Sequence, residues 1–304
     1  MNPITAFIVP CVFLYAYLIL SSIEFGASLF VLFPKLLEDD QLLKKYLNPV
    51  FETTNVFLVF FIVSLMTFFP GANLAFSALI SVLFWALAVL GIRMACLLYI
   101  FFAEANNQWV HLLFLLSSFF APAILSLAYV YMLTGAVGPV ISWLLLFLVG
   151  TVWSSIVMIA SSFFGLLQNQ ANPALSILLR ISTVVFFISA ICFILSCPPY
   201  IFGNTLAMYV IGLLVVAMLG FQYEDRLAFA RGRFLMSCGC VGVLFFGLMT
   251  LHLPYIIYPN FTVYNSLTDP NAFHLLSLAF FAGLVIILPG LFWLYALFIQ
   301  PNKS

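Results

Sequence analysis

Charge in this chain is confined to a few short breaks in otherwise nearly continuous hydrocarbon. Six of the nine Lys and Arg residues fall in two segments, 35–45 and 226–233. Hydrophobic residues make up 66% of the 304 positions and charged residues only 6%, where a water-soluble domain carries about 25% charged residues. The sequence therefore reads as an all-α polytopic membrane protein. Its few ionisable groups inside the bilayer become the best pointers to function.

A membrane-spanning helix needs about 20 apolar residues. Breaking the chain at polar, Pro and Gly punctuation gives nine spans, at 5–33, 51–70, 74–103, 109–134, 138–166, 175–197, 204–221, 232–252 and 272–298. Several are long enough to require tilt. The first lacks a basic leader and is too long for a signal peptide, so it reads as a retained helix. Pro34, Pro70, Pro139, Pro198 and Pro199 mark span ends, whereas Pro122 and Pro289 fall inside spans and predict kinks. No internal repeat or soluble domain stands out, and residues 1–304 read as a single integral membrane domain.

The basic residues also set an orientation. With the N-terminus outside, Lys35, Lys44, Lys45, Arg180, Arg226, Arg231, Arg233 and Lys303 all fall on or beside the cytoplasmic side. The C-terminus is then cytoplasmic. A formal net charge of zero and the absence of a basic patch argue against nucleic-acid binding. The six Cys, at 11, 96, 192, 197, 238 and 240, lack metal-site spacing and read as small apolar helix residues.

Three charges in or beside the spans need an account. Glu24 lies inside the first span, Arg93 inside the third, and Glu52 opens the second from the cytoplasmic side. At ~1.5 Å per residue, Glu24 and Arg93 are each about 14 Å from the cytoplasmic ends of their spans. A lone charge at mid-span costs about 2.5–3.5 kcal/mol even on the lenient insertion scale. Equal depth and opposite sign predict a Glu24–Arg93 pair. Such a pair fits a neutralised contact that fixes helix packing. It equally fits a site where carboxylates relay protons or line a watery inlet while the arginine supplies a fixed positive charge. His111, His252 and His274 stand near span ends and read as interfacial hydrogen-bonding groups. Asp269 reads as a turn or cap residue before the last span.

Several segments resemble one family in order along the chain. Leu253-Pro254-Tyr255-Ile256-Ile257-Tyr258-Pro259, followed by Phe261–Ser266 and Leu267-Thr268-Asp269-Pro270, is similar to a Y-P … L-T-I-x-N-A-A-S-S stretch before the family's last helix. Ala228–Leu235 resembles the basic loop leading into its penultimate helix. Ile23-Glu24-Phe25-Gly26-Ala27 resembles G-F-D-x-G-V-G, with Glu24 in place of Asp. Asn48–Leu58 resembles P-V-W-E/D-G-N-E/Q-V-W-L, with Glu52 on the acidic position. Arg93 falls on the arginine ending R-G-x-x-F-E-F-R. The family is subunit II of the bacterial cytochrome bd-type quinol oxidases.

The resemblance implies two four-helix bundles plus one further helix, in the bacterial cytoplasmic membrane. It implies a larger subunit I that carries haem b and haem d, with quinol as the substrate of the complex and dioxygen reduced to water. This chain would ligate no metal itself, would contact membrane lipid, and could also meet a small accessory subunit. Glu24, Glu52 and Arg93 become candidates for a proton pathway. Two rival readings use the same residues: a secondary transporter or channel built on Glu24 and Arg93, and a purely structural assembly subunit. An odd span count and the lack of a visible inverted repeat weigh against a transporter.

Overall fold

The structure, a computed structural model, describes residues 3–32, 40–102, 107–135, 139–168, 173–197, 204–222 and 230–299. Among these are nine α-helices: α1 (Pro3–Leu32), α2 (Asp40–Phe68), α3 (Ala72–Phe102), α4 (Gln108–Thr134), α5 (Pro139–Gln168), α6 (Pro173–Ser196), α7 (Asn204–Gln222), α8 (Ala230–His252) and α9 (Pro270–Ile299). Six contain described stretches long and apolar enough to cross a membrane, and three more contain shorter apolar stretches at 54–68, 206–217 and 273–285. The helical state follows from the solvent. Hydrocarbon offers backbone N–H and C=O groups no partner, so each segment must satisfy its own.

Hydroxyl side chains follow the same rule. Ser117 donates to the Phe114 carbonyl at 3.0 Å, Thr151 to Phe147 at 2.8 Å and Thr183 to Leu179 at 2.7 Å. Each turns a polar group back onto its own helix and leaves the outer surface apolar.

α1 packs on α2, α4 and α5, while α3 packs on α4. In the second half of the chain α5 packs on α6 and α8, α7 packs on α6 and α8, and α9 lies against α2. Lipid tails are as apolar as Leu, so close approach rather than water exclusion holds such helices together. At Gly26, an added Cβ would sit 2.2 Å from the Ala160 Cβ, which marks the tightest approach of α1 to α5. At Gly247 the corresponding distance to Val210 Cγ1 is 2.7 Å, between α8 and α7.

One element has no counterpart in the sequence reading. Residues Tyr255–Ile257 (β1) and Phe261–Thr262 (β2) form a small antiparallel hairpin between α8 and α9. Its flanks are tied to the helix ends. Tyr258 N–H donates to Met132 O at 3.0 Å, Thr268 N–H to Phe68 O at 3.0 Å and Gly71 N–H to Ser266 O at 3.3 Å. Ile256, Ile257 and Val263 are buried with Leu65, Phe68, Phe69 and Phe273, so the hairpin seals the ends of α2, α3, α4 and α9. Asp269 fills the expected role: its carbonyl accepts from Phe273 N–H at 2.8 Å, and Pro270 opens α9.

Candidate functional site

α1, α3 and α4 meet around one guanidinium. Arg93, on α3, is 1% exposed, and Glu24, on α1, is 5% exposed. Arg93 Nη1 donates to Glu24 Oε1 in a buried ion pair. Nη2 donates to the backbone carbonyl of Glu24 at 2.8 Å, and Nε donates to Ser118 Oγ on α4 at 3.0 Å. The arginine thus grips α1 by side chain and backbone together, and α4 by a hydroxyl.

The faces of the guanidinium are covered as well. Its Cζ stands 4.4 Å from the Phe25 ring centroid and 5.4 Å from that of Phe114. These rings shield the cation from lipid and add cation–π attraction. Phe25 continues into a buried cluster with Ala121 and Ile156, which joins the site to α5.

Local sequence explains the placement. Gly26, two residues after Glu24, lets α1 lie against Ala160. Any side chain there would lift the acidic turn off α5. On α4, Ser118 precedes Pro122 by one turn. Pro122 has no amide to offer the Ser118 carbonyl, so α4 carries a helix irregularity beside Arg93. Ser118, unlike its neighbour Ser117, takes a partner outside its own helix.

The structure therefore brings Glu24 and Arg93 together at one depth. Glu52 belongs to α2, but its side chain lies outside the described residues. Sequence reasoning missed Ser118 and the two aromatic faces. Ser118 does fall seven residues after His111 and four before Pro122, yet it is one of many hydroxyls in apolar helices, and only its partner sets it apart. The three histidines all stand at helix ends: His111 in the first turn of α4, His252 as the last residue of α8 and His274 in the first turns of α9. His252 is buried rather than interfacial. Among the described residues no group of three or more His, Cys, Asp or Glu could hold a metal ion. This set does not fit an axial haem site within the spans.

Comparison with known proteins agrees with the order of these features. Residues 2–298 match the family described as cytochrome bd terminal oxidase subunit II. The chain is 21% identical over 325 residues to a putative cytochrome bd menaquinol oxidase subunit II of Bacillus subtilis (strain 168), covering 96% of this chain and 94% of that one. It superposes on a chain of the bd oxidase from Geobacillus thermodenitrificans with a TM-score of 0.81 and 27% identity, over 99% of each chain. The multi-pass membrane protein built around the Glu24–Arg93 contact belongs to the cytochrome bd terminal oxidase subunit II family.

Proposed function

We propose that this chain serves its quinol oxidase complex as a proton-handling and scaffolding subunit, with Glu24 as the proton-exchanging group. Membership of the subunit II family makes it part of a terminal quinol oxidase and implies a subunit I partner. The observation that supports the finer reading is the buried Glu24–Arg93–Ser118 node.

A carboxyl group is the one member of that node able to take up and release a proton. Arg93 stays charged at any accessible pH and so holds the local field constant. Ser118 can both donate and accept, which lets it orient a proton carrier beside the ion pair. Glu52, on the family's acidic position before the node, is assigned the cytoplasmic entrance. The N-terminus is placed outside and the C-terminus inside, so that the basic breaks face the cytoplasm.

Haem b and haem d are assigned to subunit I, since the histidines here stand at helix ends. Bound there, the haems would supply the electron transfer and dioxygen chemistry. Exposed apolar side chains such as Phe84, Trp85, Leu213 and Val285 give this chain broad surfaces for lipid, subunit I and any accessory subunit. In membrane vesicles, proton uptake followed with a pH-sensitive dye should slow in Glu24→Gln and recover in Glu24→Asp. Equal uptake in all three forms would reject the role of Glu24.

A further inference from the structure

α4 and α8 end beside the hairpin, and polar groups from all three meet there. The Met132 carbonyl lies in the last turn of α4, where helix carbonyls lack intrahelical partners. It accepts from Tyr258 N–H at 3.0 Å and is also a hydrogen-bond partner of the His252 imidazole. Gly135, at φ 65°, closes α4, and an added Cβ there would stand 2.5 Å from the Tyr258 carbonyl oxygen. The hairpin is thus pressed onto the end of α4.

His252 is only 5% exposed. Its Nε2 is buried without a protein partner, so the bond to Met132 falls to Nδ1. An imidazole that donates from Nδ1 presents a lone pair at Nε2. Tyr129 stands one turn before Met132, with its ring edge-on to the imidazole and the centroids 6.4 Å apart. Its hydroxyl is also buried and also lacks a protein partner. A donor and an acceptor therefore sit on adjacent rings, unjoined. Buried polar atoms nearly always bind protein or ordered water, and a polar niche with complementary groups is the kind that holds water.

We infer that a bound water bridges Tyr129 and His252 at this junction. It accepts from the Tyr129 hydroxyl and donates to His252 Nε2. Its second hydrogen is available to a carbonyl at the end of α4. A phenol and an imidazole carry no charge that would select an ion, and the described residues offer no metal-binding group. The water completes a seam from α4 through α8 to the hairpin, separate from the Glu24–Arg93 node.

The test uses the purified oxidase complex. A density map good enough to show ordered waters should contain a peak within hydrogen-bonding distance of both Tyr129 Oη and His252 Nε2. Tyr129→Phe should lower Tm by about 2 °C or more, because the water loses an anchor. A dry junction reverses the sign: the substitution would then delete an unsatisfied hydroxyl and leave Tm unchanged or higher. That result, or a map with no such peak, overturns the inference. Where Tyr129→Phe fails to assemble, the wild-type map decides alone.

Discussion

Arg93 holds Glu24 twice, through Nη1 on the carboxylate and through Nη2 on the residue's own backbone carbonyl at 2.8 Å. The double grip fixes the acidic turn of α1 against α3, so loss of either partner disturbs both charge and helix placement. The two losses are not equivalent. A carboxylate stranded in the membrane can bind a proton and become neutral, whereas a stranded guanidinium cannot.

Glu24→Ala should therefore damage assembly more than Arg93→Met. Breaking a buried pair from one side costs about 3–5 kcal/mol, and Glu24→Ala should fall in that range. The yield and Tm of the purified complex measure the difference. Equal losses, or a worse result for Arg93→Met, would show that the backbone grip and aromatic packing outweigh charge.

Gly26→Ala should destabilise the complex by about 1–3 kcal/mol, the usual range for overpacking. The added methyl would meet Ala160 Cβ at 2.2 Å. Ala160→Gly in the same chain should restore much of the loss. A Tm for the double variant no better than for Gly26→Ala would locate the strain elsewhere.

Gly135→Ala should loosen the hairpin. The left-handed conformation alone costs a non-glycine residue about 1–2 kcal/mol, and the new Cβ would press on the Tyr258 carbonyl at 2.5 Å. Limited proteolysis around residues 253–269 should speed up. Unchanged cleavage would contradict this account of how the hairpin is held.

Reporter fusions within 34–48 and 222–231 should both read cytoplasmic, because the basic residues cluster there. Opposite signals from the two segments would contradict the nine-span topology.

Much of the architecture was legible because hydrocarbon imposes one simple rule. Spans set by apolar length coincide closely with the helices; that beginning at residue 109 corresponds to α4, Gln108–Thr134. The main exception is α2, which begins at Asp40 rather than near residue 51. Apolarity reports where a helix enters the bilayer, and a polar segment such as that around Lys44 and Lys45 can continue the helix beyond it. The hairpin was hidden for another reason. Tyr255–Ile257 is only three residues long, and its fixing bonds reach helix ends distant in sequence. At the site, Glu24 and Arg93 were visible because charges in apolar helices are rare and must be matched. Ser118 was not, since its hydroxyl looks like those of Ser117 or Ser126, which satisfy themselves on their own helix.

The central claim is that Glu24 exchanges protons, with Glu52 at the entrance. Quinol-oxidase turnover per haem in Glu24→Gln and Glu52→Gln complexes tests it most directly. Both amides preserve shape and most hydrogen bonding but carry no exchangeable acid proton. The account predicts normal haem content with turnover reduced by about tenfold or more. Full turnover in both complexes, with intact assembly, would contradict it and leave the Glu24–Arg93 contact as a purely structural clamp.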